Sequence, residues 1–166
     1  ASHLGGVRQG MAVSWPGHIK ELGGLRTQFH HVIDIVPTIL EACGIKQPDT
    51  VDGIKQSPIE GTSFAYTFEE KNAKAPSKHK TQYFEMMGDH AIYHEGWMAS
   101  TKVVRPPWVL ASAGNPDPLN NATWELYDLT KDFSQSNNIA AGNPNKVKEM
   151  KAMFMEEAKK FQVFPM

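Results

Sequence analysis

The sequence predicts an α/β fold in which a small antiparallel sheet is covered by one C-terminal helix. Two observations carry this prediction. Runs of β-forming residues between positions 81 and 129 alternate between apolar and polar residues and are separated by glycine-containing turns. From position 144 onward, apolar residues recur at the three- and four-residue spacing of an amphipathic helix. A further strand and helix are predicted within the first 44 residues.

Residues 7–15 are predicted to form the first strand. Apolar residues stand at every odd position except Gln9, and Pro16 with Gly17 ends the run. A single strand has no partner for its backbone hydrogen bonds, and no second strand-like run follows before residue 82. We therefore expect this strand to join a large sheet whose other strands lie outside the chain.

A short helix is predicted after this strand. Asp34 suits its N-cap, Pro37 suits its first turn, where a missing N–H costs nothing, and Gly44 suits its end. Apolar residues, Ile39 among them, recur on one face. We expect this helix to be mostly buried.

The middle of the chain is predicted to be irregular. Residues 69–80 carry charges of both signs, which is typical of a solvated linker, and His79 is expected at the surface. The linker divides the chain into residues 1–68, the end of a large α/β domain, and residues 81–166, a small sheet subdomain with its helix.

Three strand-like runs follow, at residues 83–87, 91–101 and 124–129, and the middle run is predicted to turn at Glu95 and Gly96. The last helix is expected to cover the sheet through Val147, Met150, Phe154 and Phe161. Successive strand residues point to opposite faces of the sheet. We therefore expect Trp124 and Leu126 to face the helix, and Glu125 and Tyr127 to face away from it.

Composition excludes several classes of function. The formal net charge is −1, so no basic field favours nucleic acid as a partner. No apolar run approaches the ~20 residues that a membrane span requires, so no span is predicted. Cys43 is the only cysteine, which rules out an internal disulfide. No basic residue adjoins it, so a buried structural thiol is expected rather than a nucleophile.

The residues alone show no complete catalytic constellation. The sequence has no phosphate-cradling glycine loop, no cysteine pair for zinc and no serine in a nucleophile-elbow motif. His90 and His94 lie near acidic residues, but on a strand their spacing separates them by ~13 Å, too far to bind one ion. No metal ligand is therefore predicted. His30 and His31 are expected to be hydrogen-bonded structural residues.

Several motifs nevertheless follow one another in a specific order. The first half contains "GGVRQGMAVSWPG", "DIVPTILEACG" and "EGTSF", and the second contains "YFEMMGDHAIYHEGWMAS" and "TWELYDLTKDFSQSNNIA". In this order they resemble the C-terminal part of the type I sulfatases, the arylsulfatase family of the alkaline-phosphatase-like superfamily. The chain departs from the family pattern at Met98, where a lysine is usual, and at Phe133, where a proline is usual.

The resemblance implies a portion of a sulfuric ester hydrolase that lacks the main catalytic groups. The family's nucleophile is a formylglycine made within a Cys/Ser-x-Pro-x-Arg motif, whereas Cys43 is followed by Gly-Ile-Lys. The calcium ligands and a catalytic lysine are also expected upstream of Ala1, in an N-terminal sulfatase segment that is the expected partner. Calcium and formylglycine are thus implied for the complete enzyme, and neither is expected on this chain. The chain is expected to be a scaffold and a flank of the pocket for a sulfate ester, inactive alone.

The resemblance singles out a few residues for this flank. His3 would lie beside the expected lysine and donate to the sulfate or the leaving-group oxygen; the alternative is a loop imidazole bonded to backbone. Asp89 and His90, at a hairpin tip, would line the entrance where the organic group sits; the alternative is a solvated turn. Arg8 is expected to be a structural ion-pair partner.

Other functions remain open from the sequence. The same C-terminal motifs occur in phosphonate and phosphate monoester hydrolases of the superfamily, and the residues that separate these from sulfatases are not in this chain. A truncated, non-catalytic module that binds a partner or forms a homo-oligomer is the third alternative. The resemblance further implies a periplasmic or secreted location.

Overall fold

The computed structural model describes residues 3–86, 88–101 and 122–163. The chain divides into two compact units, one formed by residues 11–80 and the other by residues 1–10 together with residues 81–166. The α-helices are α1 (Leu4–Val7), α2 (Ile35–Ala42) and α3 (Pro144–Lys160), and the strands are β1 (Thr50–Val51), β2 (Ile54–Lys55), β3 (Thr81–Met86), β4 (Asp89–His94), β5 (Trp97–Thr101) and β6 (Trp124–Asp128). No helix in the described parts of the chain has the length and apolar character needed to cross a membrane.

The predicted first strand is not a strand in this structure. Leu4–Val7 forms one helical turn, and residues 8–15 have no regular secondary structure. The reason is the missing hydrogen-bond partner, because a strand exists only where a neighbouring strand completes its ladder. No described residue pairs with this segment, and the expectation that it joins a sheet whose other strands lie outside the chain stays a prediction.

Helix α2 forms where predicted, but it is not mostly buried. A 3₁₀ turn at Val32–Asp34 leads into it, and among its residues only Thr38 is buried. Val36 is 52% exposed and Ile39 is 55% exposed. The described residues therefore leave the apolar face of this helix uncovered.

The turn at Gly61 fixes the start of α2. A Cβ on Gly61 would lie 2.1 Å from the carbonyl oxygen of Ile33, closer than any side chain can approach. Only glycine lets the backbone pass here, and the amide of the next residue, Thr62, then reaches the Asp34 carboxylate at 2.7 Å. The 3₁₀ helix Ala65–Phe68 follows, with the Ser63 hydroxyl accepting a hydrogen bond from the Ala65 amide at 3.2 Å.

The second unit contains a four-stranded antiparallel sheet with strand order β3-β4-β5-β6. The turn predicted at Glu95 and Gly96 is confirmed: both residues have positive φ, 44° and 89°, as a two-residue hairpin of the favoured twist requires. The register aligns Ile92 with Ala99 and Ala99 with Leu126, so these side chains share one face.

Helix α3 covers that face, as predicted. The core contains Ile92, Ala99, Trp124, Leu126, Met150, Phe154 and Ala158. Val147 packs against this core, and Phe161 stacks on Tyr83 with ring centroids 5.3 Å apart. Phe154 is fully buried, and burying such a side chain stabilises the fold by about 1.5–3 kcal/mol.

Candidate functional site

His3 lies immediately before α1 and contacts the face of the sheet that α3 does not cover. Its Nε2 is 2.8 Å from Oε2 of Glu125 on β6, and its ring meets the edge of Tyr127 with centroids 5.8 Å apart. The His3 side chain is 31% exposed and that of Glu125 is 14% exposed. The predicted alternative, an imidazole bonded to backbone, is not what the described residues show.

The same oxygen of Glu125 accepts a second hydrogen bond. The Tyr127 hydroxyl donates to Oε2 of Glu125 at 2.9 Å. Burial, together with the hydrogen bond to the Glu125 carboxylate, raises the pKa of Tyr127 to about 12, so the phenol stays protonated and donates. The prediction that Glu125 and Tyr127 face away from the helix is confirmed, and the structure adds that they meet His3.

His90 lies on the opposite face of the sheet. Its side chain is fully buried, stacks on Phe154 at 4.8 Å between ring centroids and meets the edge of Trp124 at 4.9 Å. Its Nδ1 is 2.8 Å from the carbonyl oxygen of Gly88. Burial lowers the pKa of His90, which favours the neutral ring. The ring is therefore not part of a solvated turn, because it packs in the core beneath α3.

The predicted site residues are therefore not brought together. Asp89 precedes His90 on β4 and points to the other face, since side chains alternate along a strand. His3 contacts Glu125, while His90 packs on Trp124, the adjacent residue of β6 that points the opposite way. Contact of Asp89 or His90 with the organic group of a substrate stays a prediction, but the two cannot act from one side.

Sequence reasoning missed a buried acid–imidazole pair in residues 11–80. His79, expected at the surface, is 6% exposed, and its Nδ1 lies 2.8 Å from both carboxylate oxygens of the fully buried Asp34. The His31 amide donates to the same carboxylate at 2.8 Å. No local pattern signals a pair 45 residues apart; only the mixed charges around His79 were visible, and they suggested solvent.

The electrostatics of Asp34 favour its ionised form. Burial alone would raise the pKa of this carboxyl, but the hydrogen bonds from His79 and from the amides of His31 and Thr62 outweigh burial and hold the pKa below its ordinary value. The group joins the start of α2, the loop at Thr62 and residue 79, and it works as a structural staple. His30, expected to be hydrogen-bonded, has both ring nitrogens buried without a partner among the described residues.

Two further expectations are corrected. Cys43 is exposed rather than buried, because it lies at the end of α2 and not beneath a neighbouring element. The Arg8 guanidinium lies 4.0 Å from the ring centroid of Phe133. It therefore packs as a cation on an aromatic face, and the described residues show no ion pair for it.

The described residues do not fit the groups that the family resemblance implies. No three His, Cys, Asp or Glu side chains among residues 3–86, 88–101 and 122–163 converge to hold a metal ion. Calcium requires six or more oxygen ligands, and the absence of calcium from this chain stays a prediction. The sequence around Cys43 does not match the formylglycine motif.

Comparison with known proteins identifies the relatives of this chain. A family model described as N-sulphoglucosamine sulphohydrolase, C-terminal, matches residues 3–163. The crystal structure of Ps i-CgsB matches 89% of this chain and 27% of its own length, with 22% identity and a TM-score of 0.55. The structure of BT4656 in complex with its substrate D-glucosamine-2-N,6-O-disulfate matches 80% of this chain and 24% of its own, with 20% identity and a TM-score of 0.49.

The match to the Ps i-CgsB structure confirms the predicted fold class. The four-stranded antiparallel sheet and its C-terminal helix correspond to the fold of the Ps i-CgsB structure over most of the chain. The chain spans about a quarter of the length of the solved structures that it matches.

Proposed function

Because the chain belongs to the N-sulphoglucosamine sulphohydrolase C-terminal family, we propose that it is the C-terminal portion of a sulfuric ester hydrolase. The match over residues 3–163 is the observation that carries this proposal. The chain would act as a scaffold and as one flank of the pocket, and an N-terminal sulfatase segment would complete the enzyme.

The exposed apolar surface of residues 11–80 supports a partner segment. The exposed large apolar side chains include Leu22, Leu25, Val36, Ile39, Ile45 and Ile54. An uncovered apolar face on a helix is unusual for a complete unit and favours an interface. Residues 8–15 support the same proposal, because their alternating pattern lacks a ladder partner among the described residues.

His3 is the residue that we assign to the chemistry. It is partly exposed, it is fixed by a carboxylate, and only Leu4 separates it from the Gly-Gly-x-Arg turn. In the complete enzyme it would hold a proton beside the sulfate group or the leaving oxygen, where general acid catalysis operates. We assign calcium and formylglycine to the N-terminal segment, and no step assigned to this chain passes through them.

The test is turnover by the complete protein. We expect hydrolysis of nitrophenyl sulfate to be faster than that of nitrophenyl phosphate. His3→Ala should lower kcat by about 10²- to 10⁴-fold, the usual size of a general acid–base contribution. His18→Ala is the matched control, because His18 is exposed and stacks only on Trp15 among the described residues. Preference for the phosphate ester would instead support a phosphate or phosphonate monoester hydrolase.

A further inference from the structure

We propose that Glu125 is a positioning residue for His3, and that Tyr127 holds the Glu125 carboxylate in place. The inference rests on the proposed function, in which His3 acts at the pocket. It concerns the group that orients this imidazole, 122 residues away in the sequence.

The pair is built on a rigid element. Glu125 lies opposite Ser100, and Tyr127 lies opposite Met98, in the β5–β6 ladder. Ser100 and Met98 are both fully buried, so the strand beneath the pair is fixed by packing. A functional group that is supported from a strand is held more closely than one supported from a loop.

The hydrogen bonds select one tautomer of His3. An ionised carboxylate only accepts, so Glu125 requires a proton on His3 Nε2. Because the Tyr127 hydroxyl donates to the same oxygen, the carboxylate cannot turn away without losing that bond. Nδ1 is then the remaining polar atom of the ring. In the neutral imidazole Nδ1 accepts a proton, and in the charged ring it donates one.

The contact between His3 and Glu125 is not required to anchor residues 3–8, the N-terminal arm. The Leu4 amide already donates to Oε1 of Gln135 at 2.6 Å, and Arg8 already packs on the Phe133 ring. The arm is thus held at two other points, one of them in the residue next to His3. The imidazole is also more exposed than its carboxylate partner, as expected for a ring aimed outward from a buried orienting group.

The test compares Glu125→Gln with Glu149→Gln in the complete protein. The control is matched, because Glu149 accepts a bond from Lys146 on the exposed side of α3 and touches no part of the pair. We expect Glu125→Gln to lower kcat by about 10- to 100-fold, the size of effect seen when a metal-bound histidine loses the partner that orients it, with little change in KM. The control should behave as wild type.

A spectroscopic readout separates positioning from simple stability. In protein labelled with ¹⁵N-histidine, we expect the neutral His3 ring to carry its proton on Nε2 in the wild type and to become a tautomer mixture in Glu125→Gln. If Glu125→Gln is unstable, Tyr127→Phe removes one hydroxyl only and should show a smaller shift in the same direction.

The outcomes are distinguishable. If His3→Ala lowers activity but the Glu125 and Tyr127 variants leave both kcat and the His3 tautomer unchanged, the positioning role is overturned and the proposed function stands. If His3→Ala itself leaves turnover unchanged, the assignment of His3 to the chemistry is overturned as well.

Discussion

At the scale of single residues, Asp34 shows what sequence patterns miss. The sequence marks Asp34 as an N-cap, and it does precede α2, but its carboxylate makes no capping bond to that helix. It accepts instead from His31, Thr62 and His79. The choice between these roles depends on the fold of residues 61–79 against the helix, which no local spacing encodes.

Asp34→Ala is expected to destabilise the protein strongly. Removing the acid leaves His79 and two amides without their buried acceptor, and breaking such a buried pair costs about 3–5 kcal/mol. Denaturant unfolding measures the change. Asp49→Ala is the control, because Asp49 is exposed, and it should shift the free energy of unfolding by less than about 0.5 kcal/mol. Equal effects of the two changes would contradict a stabilising role of the Asp34 hydrogen bonds.

One buried and two half-buried histidines make the stability depend on pH. Burial lowers the pKa values of His30, His31 and His90 from 6.5. At a pH between the folded-state pKa and the unfolded-state pKa, the unfolded chain binds more protons than the folded one. The free energy of unfolding is therefore highest above pH 6.5, and it falls as the pH drops from 6.5 through the folded-state pKa values. Asp34, with its lowered pKa, adds stability that is present above its ordinary value of 3.8 and is lost at still lower pH.

The melting temperature should therefore fall between about pH 7.5 and about pH 5. His90→Leu removes one of the buried groups, so it should show a smaller drop than the wild type. His18→Leu, a change at an exposed histidine, should show the full drop. A drop in His90→Leu as large as that of the wild type would mean that His90 takes no part in it.

At the scale of elements, sequence periodicity predicted the strands and the helix whose packing partners are adjacent in the sequence. Strands β3 to β6 follow one another in the sheet, and α3 closes over them, so alternation and helical spacing were sufficient. Residues 7–15 carry an equally clear alternating pattern but have no ladder partner among the described residues, and residues 8–15 have no regular secondary structure here. An alternating pattern indicates which face of a segment is buried, but a β-strand also requires a second strand to complete its hydrogen-bond ladder.

Phe154→Ala should weaken the sheet unit. Phe154 is fully buried between α3 and the sheet, and replacing such a phenylalanine by alanine costs about 3–5 kcal/mol. Phe133→Ala is the comparison, because Phe133 is 53% exposed and its loss leaves little cavity. Denaturation curves of both variants give the difference; a cost for Phe154→Ala no larger than for Phe133→Ala would argue against this core.

At the scale of the whole molecule, the family was readable from the sequence but the candidate site was not. The order of the motifs predicted a sulfatase C-terminal part, and the family match agrees over residues 3–163. His3, Asp89 and His90 were chosen by position along the chain, and the pleat of the sheet places His3 and His90 on opposite faces. The contact of His3 with Glu125 joins distant residues, so its discovery needed the fold.

The central claim is that this chain is the C-terminal portion of a sulfatase and requires an N-terminal segment to act. The most direct measurement is nitrophenyl sulfate hydrolysis by the isolated chain and by the complete protein, each with and without calcium. We predict turnover by the complete protein and no turnover above buffer by the isolated chain, since losing any member of such a catalytic set costs several orders of magnitude. Calcium-dependent release of nitrophenol by the isolated chain, abolished by His3→Ala, would contradict the account.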